Sequence, residues 1–309
     1  MANDTKNNDQ TSPVDAGEEI IITAPLINYD TTYRRLTDAR RDAMWSSMQG
    51  AGKQAGERRF WCSALFTKLS LMARSFQLLC PPKATEILGN WDFASVASLA
   101  RNLFEGYLIF RYFSEPVEGE EWRARLNIMQ LTDCKSRMSM FSQFGEERET
   151  IKGFEVQFAD LVSRIEGNSY FSTLDPKIQR QLLQGHRQTI FTIRELSIRA
   201  EVDKKVWGYF ELLSSHTHTH PMSFYRSAEH GRTGVANEVE RVYIATAMEF
   251  VTDLLQRATT VFEKDFSNLV TFKSTNLTPE QLLKSRMTST LLSQMNRSQR
   301  RAIEKSKRR

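Results

Sequence analysis

The chain has 309 residues, of which 40% are hydrophobic and 26% are charged, and its net charge is +5. These values are ordinary for a soluble globular protein, and the length allows one large domain or two small ones. Charged residues interrupt every apolar run well before the ~20 residues that a membrane span needs, so we expect no membrane contact. The chain opens with polar residues and not with an apolar signal segment, so a cytoplasmic location is expected.

The two ends of the chain carry opposite charge. Residues 1–29 contain one Lys and five acidic residues and are expected to form a disordered polar tail, whereas the last fourteen residues contain seven Lys or Arg and one Glu. Such a basic tail attracts polyanions. One interpretation is an RNA contact through phosphate neutralisation, and the other is a solvated helix that keeps the protein soluble. The RNA contacts would fall on Arg297, Arg300, Arg301, Lys305, Lys307, Arg308 and Arg309.

Apolar residues recur at helical spacing through most of the chain. The first predicted helix covers 31–48 and stops near Gly50, and the second covers 57–80, where two prolines follow. Asp92 can cap a third helix over 93–113, which is apolar nearly all round and should lie at the centre of a bundle. The other predicted helices cover 120–144, 151–166, 175–186, a segment opened by a capping box of Thr192 and Glu195, 203–216, 237–266 and 278–295.

Strand candidates are limited to Glu19–Thr23 and Leu269–Phe272, which are too few for a sheet. The sequence therefore predicts an all-α, multi-helix bundle over 30–275 that follows the polar tail and precedes a basic helical extension over 276–309. The three cysteines are far apart and lie within apolar helical patterns. We expect them to be reduced core residues and not a disulfide frame or a zinc site.

Three of the five histidines stand at alternate positions in "ELLSSHTHTHPM", residues 211–222. All three would share one face only on an extended chain, but the preceding residues have helical spacing, and on a helix only His216 and His220 could share a face. Loops with alternating histidines in metallohydrolases follow a strand and use further ligands from a sheet. Because neither is predicted here, we expect no metal site and no cofactor.

The helical interpretation places Glu211, Ser214 and His218 close to one stripe, where His218 could bond Ser214. Arg101 and Glu105 stand four residues apart within the apolar third helix. Buried charges are costly unless they are paired, so this pair should either fix the helix register and orient a neighbouring hydroxyl or form part of a site.

The segments "LARNLFEGYLIFRYF" and "YFELLSSHTHTHP" resemble an uncharacterised bacterial family of helical domains with the motifs R-x-x-x-E and Y-x-x-L-S-x-x-x-H. Arg101 and Glu105 match the first motif, and Ser214 and His218 match the second, but Phe210 replaces the tyrosine. The resemblance covers about 92–220. It implies a helical bundle of unassigned activity, distantly similar to the HEPN domains of bacterial toxins and anti-phage defence, some of which are metal-independent ribonucleases.

Three functional hypotheses follow from these residues. In the first, the protein is RNA-directed: Arg101 stabilises phosphate charge, His218 moves a proton, Glu105 and Ser214 orient them, and a homodimer could bring two such sets together. In the second, the same residues only organise the core of a non-catalytic interaction module. In the third, the three alternating histidines hold a metal for hydrolysis. The R-x4-6-H signature of HEPN ribonucleases matches only Arg180 and His186, a spacing expected by chance.

Overall fold

The computed structural model describes residues 28–53, 55–218, 220–221, 223–225 and 234–269. These residues are predominantly helical, and no strand occurs among them apart from one isolated antiparallel bridge between Trp91 and Gly234. The predicted all-α, multi-helix fold is confirmed. The first predicted strand, the predicted helix over 278–295 and the boundary near Thr275 lie outside the described residues. Of the second predicted strand only Leu269 is described, and it is not in a strand.

The helices with complete bounds in the described part of the chain agree with the predicted ones to within a few residues. Local signals explain this agreement. Asn28 and Asp92 accept hydrogen bonds from the first-turn amides of their helices, and Thr192 and Glu195 form the predicted capping box. The helices are α1 (Tyr29–Gly50), α2 (Glu57–Leu79), α3 (Phe93–Ser114), α4 (Gly119–Gln143), α5 (Arg148–Glu166), α6 (Pro176–Leu183), α7 (Ile193–Arg199), α8 (Lys204–Thr217) and α9 (Glu238–Phe266), with a 3-10 turn at Phe171–Thr173.

The larger core lies between α1, α2, α3, α8 and α9. Contacts between side chains define the helix directions: Phe93 packs on Tyr243 and Phe104 on Phe250, so α3 and α9 run parallel, and α2 and α8 run against them. Helix α3 contacts α2, α8 and α9 and is therefore the central helix, as its all-round apolar pattern predicts.

A smaller, second core forms where α4 packs on α5, the 3-10 turn and α6. Its fully buried side chains come mainly from the second half of α4 and from α5. They are Ile128, Leu131, Cys134, Leu161, Ile165, Phe171, Leu182 and Ile190. The sequence analysis did not separate this core from the larger one, because both consist of helices with the same period.

A buried ion cluster lies where the two cores meet. The Arg125 side chain is fully buried and bonds Glu115, Glu121 and the carbonyl of Tyr112, while its guanidinium lies 4.1 Å from the Tyr112 ring centroid. Arg199 of α7 makes two further bonds to Glu115. Helices α3, α4 and α7 therefore meet at this ion cluster, and its bonds join the two cores.

Candidate functional site

The predicted pair of Arg101 and Glu105 forms on the face of α3 that packs against α8. Arg101 Nη2 lies 2.9 Å from Glu105 Oε1, and Arg101 Nε donates to Ser214 Oγ at 3.0 Å. Ser214 Oγ in turn donates to the carbonyl of Phe210 one turn earlier. The chain of bonds fixes the hydroxyl and the guanidinium relative to each other, although they are 113 residues apart in the sequence.

The Arg101 guanidinium keeps unused donors. A guanidinium has five N–H groups, and within the described residues this one donates one hydrogen bond, to Ser214, and forms one ion pair, with Glu105. Nη1 has no partner among the described residues and is not a buried atom, so it is open to solvent. The Phe210 ring lies 5.4 Å from the guanidinium carbon and supports it from one side. Phe210, which stands where the motif has tyrosine, therefore packs as an apolar ring against the Arg101 guanidinium.

His218 lies at the C-terminal end of α8, one turn beyond Ser214. Its backbone N–H donates to the Ser214 carbonyl at 3.1 Å, and its side chain is exposed. The predicted side-chain bond to Ser214 does not form, because α8 ends at Thr217 and the Ser214 hydroxyl is already bonded to Phe210 and Arg101. Within the described residues no hydrogen bond or ion pair joins the His218 side chain to Arg101 or Glu105.

A match to a known protein family includes all four residues of this arrangement. A family model matches residues 59–234, which include both Arg101 and His218. The chain belongs to DUF5677, a family of unknown function. No curated protein and no solved structure matches the chain. The family assignment agrees with the expected resemblance to an uncharacterised helical family. It assigns no activity to the chain.

The three alternating histidines of this DUF5677 chain do not converge. His216 is buried, with its ring 4.7 Å from the Phe93 ring centroid, and burial lowers its pKa. His218 and His220 are exposed, and their ring centroids lie 6.0 Å apart. The expectation that His216 and His220 could share a face was wrong, because the helix stops before His220. Among the described residues, no three His, Cys, Asp or Glu side chains form a cluster that could hold a metal ion.

The nearby tyrosines do not take the place of the missing phenol. The Tyr209 hydroxyl is buried without a hydrogen-bond partner, its ring packs on Phe250, and burial raises its pKa far above the usual value. Tyr107 is also buried and accepts a weak bond from Arg111 at 3.4 Å. Neither hydroxyl bonds to the Arg101 group within the described part of the chain.

The predicted RNA-binding residues, Arg297, Arg300, Arg301, Lys305, Lys307, Arg308 and Arg309, lie outside the described residues. None of the helices in the described part of the chain combines the length and the hydropathy that crossing a bilayer requires. The three cysteines are free and buried, which confirms the prediction that they lie in the core.

Sequence reasoning missed Glu240, a buried acid at the start of α3. Its Oε2 accepts the backbone N–H of Phe93 at 3.0 Å, so a carboxyl from α9 helps to cap α3. Burial, opposed by the bond from Phe93 and assisted by the nearby Asp92 charge, raises the pKa of Glu240 to about 7. The sequence gives only a local signal here, since Glu240 stands where a first-turn acid is common.

Proposed function

We propose that this DUF5677 protein is RNA-directed and cleaves RNA without a metal ion, with Arg101 and His218 as the reacting pair. The observation that carries the proposal is the Arg101 guanidinium, which is held by Glu105, Ser214 and the Phe210 ring while its Nη1 atom is open to solvent. A fixed guanidinium with free paired donors suits a phosphate group.

His218 is the exposed histidine at the end of α8 that could move a proton, since His216 is buried. It lies one turn beyond Ser214, because its backbone N–H bonds the Ser214 carbonyl at 3.1 Å. In the proposed reaction the His218 imidazole takes the proton of a ribose 2′-hydroxyl, and the 2′-oxygen attacks the adjacent phosphorus. The bond from phosphorus to the 5′-oxygen breaks, water protonates that oxygen, and the products are a 2′,3′-cyclic phosphate and a 5′-hydroxyl. Arg101 stabilises the charge that develops on the phosphoryl oxygens.

The remaining residues have supporting roles in this proposal. Glu105 and Ser214 position Arg101, and the basic residues of the last fourteen positions add phosphate contacts that salt weakens. A distant similarity to HEPN domains, a bacterial cytoplasmic setting and a role in stress or phage defence belong to the same proposal. They rest on the two short motifs carried by Arg101, Glu105, Ser214 and His218.

The test is an RNA-cleavage assay with purified full-length protein in the presence of EDTA. Wild type is compared with Arg101→Ala and His218→Ala, and the matched controls are Arg257→Ala and His220→Ala. Arg257 forms an exposed i,i+4 ion pair with Asp253, and His220 is an exposed histidine of the same segment. We expect each site variant to lower the cleavage rate by about 100-fold or more and each control to leave it within about twofold.

His218→Ala is the decisive variant, because its exposed side chain makes no hydrogen bond to the residues that the structure describes, and its removal should leave the melting temperature unchanged. The ribonuclease proposal would be overturned if the wild-type protein left every RNA intact or if cleavage persisted in His218→Ala. Cleavage that EDTA abolishes would point to a metal-dependent reaction instead.

The second candidate is a non-catalytic interaction module. The observation that favours it is a set of exposed apolar side chains on α2, including Leu71 and Leu78. Under this alternative, Arg101→Ala lowers the melting temperature, while no RNA is cleaved by any variant and the protein has a measurable binding partner.

A further inference from the structure

Helix α2 carries an apolar stripe on its outer side, away from the core. Phe60, Leu71 and Leu78 are 60%, 52% and 78% exposed. The stripe consists of positions that alternate by four and three residues and therefore lie on one face of the helix. Its members are Phe60, Ala64, Thr67, Leu71, Arg74 and Leu78. Four of the six positions, Phe60, Ala64, Leu71 and Leu78, are exposed and apolar. Exposed apolar patches of this length often mark a contact with a partner, so this face is expected to have one.

Helix α1 extends the same face on one side. Gln77 bonds Thr37 and Ser47 bonds Thr67, so α1 runs antiparallel to α2 in direct contact. Met48 follows Ser47 in the sequence and is 61% exposed. The apolar face therefore involves two adjacent helices, which makes it wider than a single helix row.

We propose that this face packs against the same face of a second copy of the chain, with the two α2 helices antiparallel. The pattern of side-chain sizes carries the proposal. When the stripe is reversed about position 69, Leu71 lies opposite Thr67 of the second copy, and Arg74 lies opposite Ala64 of the second copy. Each large side chain at the middle of the stripe meets a small one, as interdigitating helices require.

The ends of the stripe and its single charge fit the same arrangement. Phe60 lies opposite Leu78 of the second copy, so the largest exposed apolar groups cover each other at both ends. Arg74 is the only charged member, and its aliphatic part can cover the Ala64 methyl group while the guanidinium reaches solvent. A two-fold axis makes both halves of the contact equivalent, which is the commonest symmetry among protein dimers.

The size of the face predicts a weak dimer. The stripe spans 18 residue steps, or about 27 Å, and two neighbouring helices give it a width of about 20 Å. This area is at the lower end of specific interfaces, so we expect dissociation in the micromolar range. The proposal is independent of the ribonuclease, since no stripe residue belongs to the Arg101 group.

Cross-linking through introduced cysteines tests the arrangement. Phe60→Cys and Leu78→Cys are combined in the full-length chain, whose native cysteines are buried. The two positions are about 27 Å apart on one helix, so a disulfide between them can form only across two antiparallel copies. We expect mild oxidation to give a covalent dimer in the double variant and none in either single variant. Cross-linking of a single variant would instead indicate parallel packing and overturn the proposal.

Sedimentation over about 1 to 100 µM protein provides the second measurement. Wild type should shift from monomer to dimer, and Leu71→Glu should remain monomeric with an unchanged melting temperature, since Leu71 is exposed. Ile198→Glu is the matched control, because Ile198 is 70% exposed on α7 and should not alter dimerisation. A wild type that stays monomeric throughout would overturn the proposal and leave the face to a different protein.

Discussion

Two arginines of this protein have similar sequence surroundings but very different environments. Arg101 and Arg125 each pair with a Glu four residues away on a helix rich in apolar residues. The Arg125 side chain has no exposed surface and bonds two carboxylates and a carbonyl, whereas the Arg101 side chain is 20% exposed and makes two bonds. A saturated cation can only hold the structure together, while an unsaturated one at the surface can also bind a ligand.

The carboxylates around the two arginines show the same contrast. Burial opposes the ionisation of Glu115, but the bonds from Arg199 and Arg125 hold its pKa below the usual value. Glu240 is more deeply buried, no cation is among the causes that shift its pKa, and that pKa rises to about 7. Pairing, and not burial alone, decides whether an acid inside this bundle is charged at neutral pH.

The largest effect is expected at Arg125. Arg125→Ala leaves Glu115 and Glu121 without their buried partner and should lower the free energy of unfolding by about 3 to 5 kcal/mol. Urea unfolding measures the change. The matched control is Arg123→Ala, which removes an exposed i,i+3 pair with Glu120 and should cost no more than about 0.5 kcal/mol. Equal losses from both variants would remove the distinction between the saturated cluster and a surface ion pair.

Glu240 gives an intermediate effect that depends on pH. Its folded pKa is raised, so between its usual value and about 7 the folded chain binds more protons than the unfolded chain. Stability from this group is therefore complete at low pH and is lost as the pH rises through about 7. The expected loss is about 1 to 3 kcal/mol, and Glu240→Gln should abolish it.

The measurement is urea unfolding of wild type and Glu240→Gln at several values between pH 5 and 8 (about one unit apart). Glu238→Gln is the control, since the Glu238 side chain is 77% exposed. The difference between wild type and Glu240→Gln should grow with pH, while the control should follow wild type. Parallel curves for all three proteins would show that Glu240 is charged throughout and that its burial is compensated in another way.

The smallest effect on stability is expected at Arg101. Arg101→Ala removes one bond to Ser214 and one partly exposed ion pair, so the free energy of unfolding should fall by about 1 kcal/mol or less. Thermal and urea unfolding check this value beside Arg125→Ala. A loss as large as that of Arg125→Ala would mean that the Arg101 group is also mainly structural.

Local signals explain why the fold was predictable. The Asp92 cap, the Thr192 capping box and the apolar period each depend on residues within a few positions, and the helices they predict are present. The pairing of Arg101 with Glu105 was predictable for the same reason. For the bond from Arg101 to Ser214, the sequence predicted only that the ion pair would orient a neighbouring hydroxyl.

Long-range contacts were not predictable from one sequence. Arg199 bonds Glu115 across 84 residues, and Glu240 bonds Phe93 across 147 residues. In neither pair does the sequence around one residue predict its partner. The burial of Arg125 depends on its contacts with Tyr112 and Glu115 and on the position of α7, which brings Arg199 to Glu115. The position of His218 depended on the exact end of α8, which helical period alone does not give.

The three buried cysteines give the two cores separate chemical reporters. Cys62 and Cys80 lie in the larger core and Cys134 in the smaller one, and burial raises the pKa of all three thiols. A thiol reagent reacts with the thiolate and needs access to it, so each cysteine becomes reactive only when its surroundings open. The rate at which a reagent modifies each position therefore measures how often each half of the bundle opens, in the unaltered chain and under native conditions.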